Sequence, residues 1–185
     1  MGHEGNETAT DAGEHILPWA RAVLETTGPR WLRLTQTVPE ELLTRIPAPG
    51  EWSAVDCLRH LLDVERSVFP ARVRAILAGQ DFPAFDPASR EAPAPNSTAQ
   101  QLAVAFAEAR EVGLAALAQV REQDLARTAR HSTLGIMTLS ETLHAWAAHD
   151  LNHTVQAERA MMQPFIGGSG ALAFRFADHL AKRGS

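Results

Sequence analysis

The chain of 185 residues has a single cysteine, Cys57, which excludes an intramolecular disulfide and every metal site built on paired cysteines. It also lacks a long apolar run. Arg, Asp, Glu or His interrupts each hydrophobic stretch well short of the roughly 18 to 20 residues that a membrane-crossing helix needs. An excess of positive charge is missing too. The net charge is -5 with histidine neutral, whereas a protein that grips the phosphate backbone of nucleic acid normally carries a basic patch or stripe. The opening MGHEGNETATDAG has neither a basic start nor an apolar core, so no secretory signal is expected there and the expected location is the cytoplasm. Runs of alternating β-branched residues are absent, which predicts a sheet content close to none.

What is present belongs to an ordinary globular chain. Hydrophobic residues make up 45% and charged residues 21%, with no low-complexity block, and the length suits one domain. Residues 1–14 are small, polar and acidic and read as a mobile tail, leaving 15–185 as a helical domain. A helical pattern runs from Ile16 to about Val38, with Gly28-Pro29 expected to kink or divide it. Ser53 with Asp56 makes a capping box for a long helix from Ala54 to about Leu77. Prolines 83, 87, 93 and 95 make 80–96 a loop. Ser97 with Gln100 opens a third long helix, and Thr138 with Glu141 opens a fourth, expected to end at Met162 before Pro164. Glycines 167, 168 and 170 then link to a short terminal helix with Leu172, Phe176 and Leu180. The predicted fold is all-α: a four-helix bundle with a long proline-rich connection and a short C-terminal helix.

Histidine is the unusual component. Eight are present, and imidazole is both the commonest metal ligand and the side chain best suited to proton transfer near neutral pH. In His149-Asp150-Leu151-Asn152-His153 two of them stand four residues apart on a helix, about 40° apart around its axis and one turn along it, so both can reach one ion. Thr142, Trp146 and Gln156 share that face, while His144 falls on the far side with Ala147, Leu151, Val155 and Met162. A third ligand is best sought at His60, whose helix face carries Asp56, Cys57, Val64, Ser67 and Ala71, opposite Leu58, Leu62, Phe69 and Ile76. A hydrogen-bonded histidine in a semi-polar core is the other reading of His60.

These residues resemble a family. Pro47-Ala48-Pro49-Gly50-Glu51-Trp52-Ser53, with Leu58-Arg59-His60-Leu61 and Asp63-Val64-Glu65 after it, is similar to the opening half of the DinB-like superfamily of metal-dependent enzymes. His131, Gly135, Thr138-Leu139, His149-Asp150-Leu151-Asn152-His153 and Gln156 are similar to its closing half, and together the likeness spans about residues 16 to 165. It implies an up-down-down-up four-helix core, commonly a homodimer, and a divalent metal held by three histidines, which by motif position are His60, His149 and His153. It implies no DNA-binding activity. Members with an assigned reaction are similar to thiol-dependent transferases or isomerases that use mycothiol, bacillithiol or glutathione, while others resemble metal-dependent hydrolases.

Three imidazoles suit zinc, nickel, iron or copper, with zinc or nickel expected first. The ion would turn a bound thiol into thiolate, or a bound water into hydroxide, near neutral pH. Asp150 stands where a zincin has its glutamate, but its short side chain and the upstream third ligand favour a carboxylate that orients an imidazole, a role for which Asp56 and Asp63 compete. His131 could approach the pocket mouth, Cys57 reads as a small core residue, and Trp52 is expected to anchor its turn against the bundle. Both ligand-bearing helices have a second apolar stripe, which predicts cover by the terminal helix or by a second subunit. The expected function is a metal-dependent S-transferase or hydrolase acting on a small molecule, with specificity set partly by the loop at 80–96. The alternative is a non-catalytic helical bundle that binds metal or another ligand, as in a stress response.

Overall fold

A computed structural model describes residues 15–84 and 97–181 of the chain. The expected tail at 1–14 and most of the proline-rich connection lie outside the described residues. Six α-helices, one hairpin and two 3-10 segments are seen among the described residues, in the order α1 (Ile16–Thr37), α2 (Glu40–Thr44), α3 (Ala54–Ser67), α4 (Phe69–Ala78), α5 (Ala99–Leu117), a 3-10 turn (Glu122–Asp124), β1 (Thr128–His131), β2 (Gly135–Thr138), α6 (Leu139–Gly168) and a 3-10 segment, Gly170–His179, laid along the end of α6. Helices α1, α3, α5 and α6 pack on one another as the bundle, so the fold is all-α as the sequence predicts.

Local chemistry explains most of the helix starts. Ser53 Oγ accepts the Asp56 N–H while the Asp56 carboxylate accepts the Ser53 N–H, a closed box that starts α3. Thr138 and Glu141 repeat it at α6. At α5 the box is one residue later than expected, on Thr98 and Gln101 rather than Ser97 and Gln100.

Five expectations on the elements are corrected. The helix from Ala54 does not run unbroken to Leu77: it breaks at Val68, whose φ/ψ of -118°/-80° is not helical, and Pro70, which has no N–H to give the preceding turn, restarts it near the N-terminus of α4. Pro29 does not divide α1, because Leu24, Thr27, Gly28 and Trp31 around it are all buried and packing holds the helix through one missing bond. Likewise α6 passes through Pro164 to Gly168, and the terminal segment is 3-10 rather than α-helical. Finally, the stretch around His131 and Gly135 is a two-stranded antiparallel hairpin, in register from Thr128 opposite Thr138 to His131 opposite Gly135. Gly135, at φ +86°, supplies the left-handed conformation at its turn.

The core has two apolar halves. One contains Leu24, Val64, Phe69, Leu117 and Trp146, the other Trp31, Leu58, Leu62, Phe106 and Ala157. Between them each bundle helix places one buried polar side chain: Thr27 from α1, Glu65 from α3, Arg110 from α5 and Asp150 from α6. The Arg110 guanidinium donates to Asp150 Oδ2 (2.8 Å) and Oδ1 (3.0 Å), to Glu65 Oε2 (2.8 Å) and to Thr27 Oγ1 (2.8 Å). Thr27 in turn donates to Asp150 Oδ2, and Trp146 Nε1 donates to Glu65 Oε2 at 3.2 Å. One guanidinium and two carboxyl groups are thus held out of water by their mutual hydrogen bonds, although Glu65 Oε1 and Arg110 Nε are buried without a partner among the described residues. Each partner comes from a different helix, so the layer fixes how the four helices are rotated about their axes.

Candidate metal centre

That rotation decides where the histidines point. With Asp150 turned inward to Arg110, the neighbouring His149 and the next-turn His153 face α3, where His60 meets them. Ring centroids lie 5.0 Å apart for His60 and His149, 4.5 Å for His60 and His153, and 4.5 Å for His149 and His153. One ligand nitrogen from each imidazole lies within 4.8 Å of the other two, so the three together can hold a metal ion.

The donor set fits such an ion. His60 Nε2 and His149 Nε2 face each other at 3.0 Å, whereas two nitrogens on a tetrahedral zinc, each at about 2.0 to 2.1 Å, stand about 3.3 Å apart. Gln156 Oε1 lies 2.9 Å from His153 Nδ1. An amide oxygen can only accept, so His153 carries its proton on Nδ1 and leaves the Nε2 lone pair for a ligand bond. Burial, then the neighbouring His153 and His60, push the His149 imidazole down to about 4, and burial also lowers His153. At least these two are therefore neutral at neutral pH, the state in which imidazole binds metal.

Aromatic rings fence the trio. Trp52, just before the α3 cap, sits 5.1 Å from His60 and stacks on His153 at 5.6 Å; Phe69, at the α3–α4 break, meets His149 edge-on at 5.5 Å. Trp52 thus does more than anchor its turn: it forms one wall of the centre.

Other candidates fall elsewhere. Asp150 makes no hydrogen bond to an imidazole among the described residues; both its oxygens are held by Arg110, and Oδ2 by Thr27 as well. Asp56 caps α3, and Asp63 is buried. Cys57 is a core residue whose thiol is pushed up to about 12 by burial and by Asp56. His131 is not at the pocket mouth: it is buried in the hairpin, where Nδ1 accepts from the Thr133 and Leu134 N–H groups and Nε2 lies 3.3 Å from Arg72 Nη2. His144 is exposed on the far side, as its place on the helix predicts.

Sequence reasoning missed Glu65, Arg110 and Thr27. A signal existed for Arg110, which interrupts the buried stripe of Leu102, Ala103, Phe106, Gly113 and Leu117 on α5. Gly113 belongs to the same feature, since a Cβ there would collide with Glu65 Oε1 and sit 3.1 Å from the Trp146 ring. Only a glycine leaves that carboxylate its place.

No curated protein matches the chain. A profile of the DinB superfamily matches residues 24–157, which take in all of α3 and α5, the hairpin and the histidine-bearing part of α6. With most of its length matched, the three histidines included, the chain belongs to the DinB superfamily.

Proposed function

We propose that the chain is a metal-dependent enzyme acting on a small molecule, with a divalent ion, zinc or nickel first and iron next, on His60, His149 and His153. The carrying observation is the convergence of three imidazoles from two helices, at least two of them held neutral, with His60 Nε2 and His149 Nε2 at 3.0 Å. Bound there, the ion would lower the pKa of a thiol or a water at a position that three protein ligands leave open. The reading is therefore a thiol-dependent S-transferase or a hydrolase.

The chain's own residues do the positioning. Gln156 fixes the tautomer of His153, Trp52 and Phe69 keep bulk water from the flanks of the imidazoles, and the Arg110 layer sets the rotation of α6. Asp150 is a positioning residue in this account. The other apolar stripe of α6 supports a homodimer: Leu151 and Val155 are about half exposed, whereas Leu58, Leu62, Phe69 and Ile76 are buried within the chain. A sedimentation mass matching one chain would remove the dimer.

The functional test is turnover with metal-depleted protein reloaded with zinc or nickel, using a small thiol with an electrophile in one assay and an ester in the other. Turnover that needs the metal and disappears in His149→Ala is expected. Equal turnover in His149→Ala would overturn the reading.

A further inference from the structure

Beside the histidines lies a cavity of about 230 Å³. Two of its walls, Trp52 and Gln156, are the side chains that stack on His153 and hydrogen-bond to it, so a molecule seated there is next to the metal centre. Most of the remaining wall comes from residues beyond 157, outside the segment shared with the family: Arg159 and Gln163 on α6 and His179 in the 3-10 segment. This wall is built rather than draped. Gln163 Nε2 donates to the Arg159 and His179 carbonyls (2.8 and 2.9 Å), and its Oε1 accepts the Ala181 N–H (3.0 Å), tying the terminal segment to α6.

Gln163 is thereby used up, and Arg159 is not. The one hydrogen bond of its guanidinium among the described residues is a long one, 3.4 Å, from Nη2 to the Asp178 carbonyl, and no ion pair engages it there. Glu51 lines the same cavity without pairing with it. A guanidinium keeps its charge at any accessible pH and presents a planar fork of donors that matches a carboxylate. The cavity thus offers one unspent fork, one indole face for an apolar stem, and a carboxylate that repels a second negative charge.

We propose that this cavity binds the carboxylate end of the substrate, with Arg159 as its counter-charge, and that the substrate is a small molecule with one carboxylate and a short apolar stem whose other end reaches the metal. The inference rests on the proposed metal-dependent function and adds the substrate class to it. The segment Gly170–Ala181 then sets specificity by closing the wall.

The probes are ω-mercaptocarboxylates with one to five methylenes, each beside the mercaptoalcohol of equal length, titrated into cobalt-substituted protein and followed by the visible cobalt spectrum. At the length that spans cavity and metal the carboxylate is expected to bind about 10-fold to 100-fold tighter than the alcohol, as befits one hydrogen-bonded charge pair. Arg159→Gln abolishes that preference and Arg159→Lys restores part of it, with cobalt content unchanged in both. A preference that survives in Arg159→Gln, or is absent at every length, overturns the subsite. The same lengths without thiol, alkyl carboxylates against alcohols, are followed by tryptophan fluorescence. A silent cobalt spectrum with Arg159-dependent carboxylate binding there would overturn thiol ligation and uphold the subsite.

Discussion

Gly113→Ala is expected to destabilise the protein, although alanine is ordinarily the better helix former by about 1 kcal/mol. The added methyl would overlap Glu65 Oε1 and press on Trp146 Cζ2 at 3.1 Å and Cη2 at 3.2 Å. Neither neighbour can swing away into solvent, because both are buried and Trp146 is stacked on Phe69. Overpacking of this kind costs about 1 to 3 kcal/mol, and full separation of a buried ion pair about 3 to 5. Partial displacement of Glu65 from Arg110, less the helix gain, leaves a net loss of about 2 to 4 kcal/mol. For a domain of this size that corresponds to a drop in Tm of about 5 to 15 °C in thermal unfolding followed by circular dichroism.

Gly28→Ala is the control. A Cβ at Gly28 would meet Ala107 at an ordinary 3.7 to 3.8 Å, and the helix gain is offset by its contact with the Pro29 ring, so this variant should stay within about 1 kcal/mol of the parent. A double-mutant cycle separates clash from propensity: Glu65→Ala should cost less in the Gly113→Ala background than in the parent. A Gly113→Ala protein as stable as the parent, or less affected than Gly28→Ala, would refute the reasoning.

Other perturbations have equally definite outcomes. Burial pushes the Glu65 carboxyl up to about 7 despite Arg110, so the folded state holds its proton where the unfolded state has lost it; its contribution is complete below about pH 4.5 and is lost as pH rises towards 7. The lowered His149 acts in the opposite sense over roughly pH 4 to 6.5, so the readout is the difference between the parent and Glu65→Gln in urea unfolding. Relative to that variant the parent should lose about 3 kcal/mol between pH 4.5 and 7, and a flat difference would contradict the assignment. Cys57, buried with its thiol pushed up to about 12, should react with a disulfide reagent only as fast as the protein unfolds; prompt labelling of native protein would contradict its placement. Gln156→Leu frees the His153 tautomer and should weaken zinc about 10-fold to 100-fold in a competition titration with a chelating dye, with unfolding little changed.

The parts of the fold that were legible in the sequence are those decided within a few residues. The Ser53–Asp56 and Thr138–Glu141 boxes are closed by neighbours three apart, and the four-residue interval of His149 and His153 fixes their common face. Prolines 29 and 164 were misleading because what happens at a proline depends on packing around it, which local sequence does not contain. Pro70 did carry a signal, and the break it marks at Val68 is what sets Phe69 against His149. The hairpin strands are four residues each, too short to show an alternation, and β1 spends two of its four positions on Arg130 and His131. The polar layer was the least legible feature. Arg110 meets Glu65 and Asp150 across 45 and 40 residues of chain, and a lone arginine in an apolar stripe does not name its partners.

The central claim, that His60, His149 and His153 form one metal centre, is tested most directly by elemental analysis of untagged protein purified without added metal, beside His60→Ala and His153→Ala. Near one equivalent of zinc, nickel or iron per chain is expected in the parent and its loss in both variants, since the two histidines come from different helices and would share one ion. A parent that carries no metal and takes up none of the three when offered, or a variant that keeps its full equivalent, would contradict it.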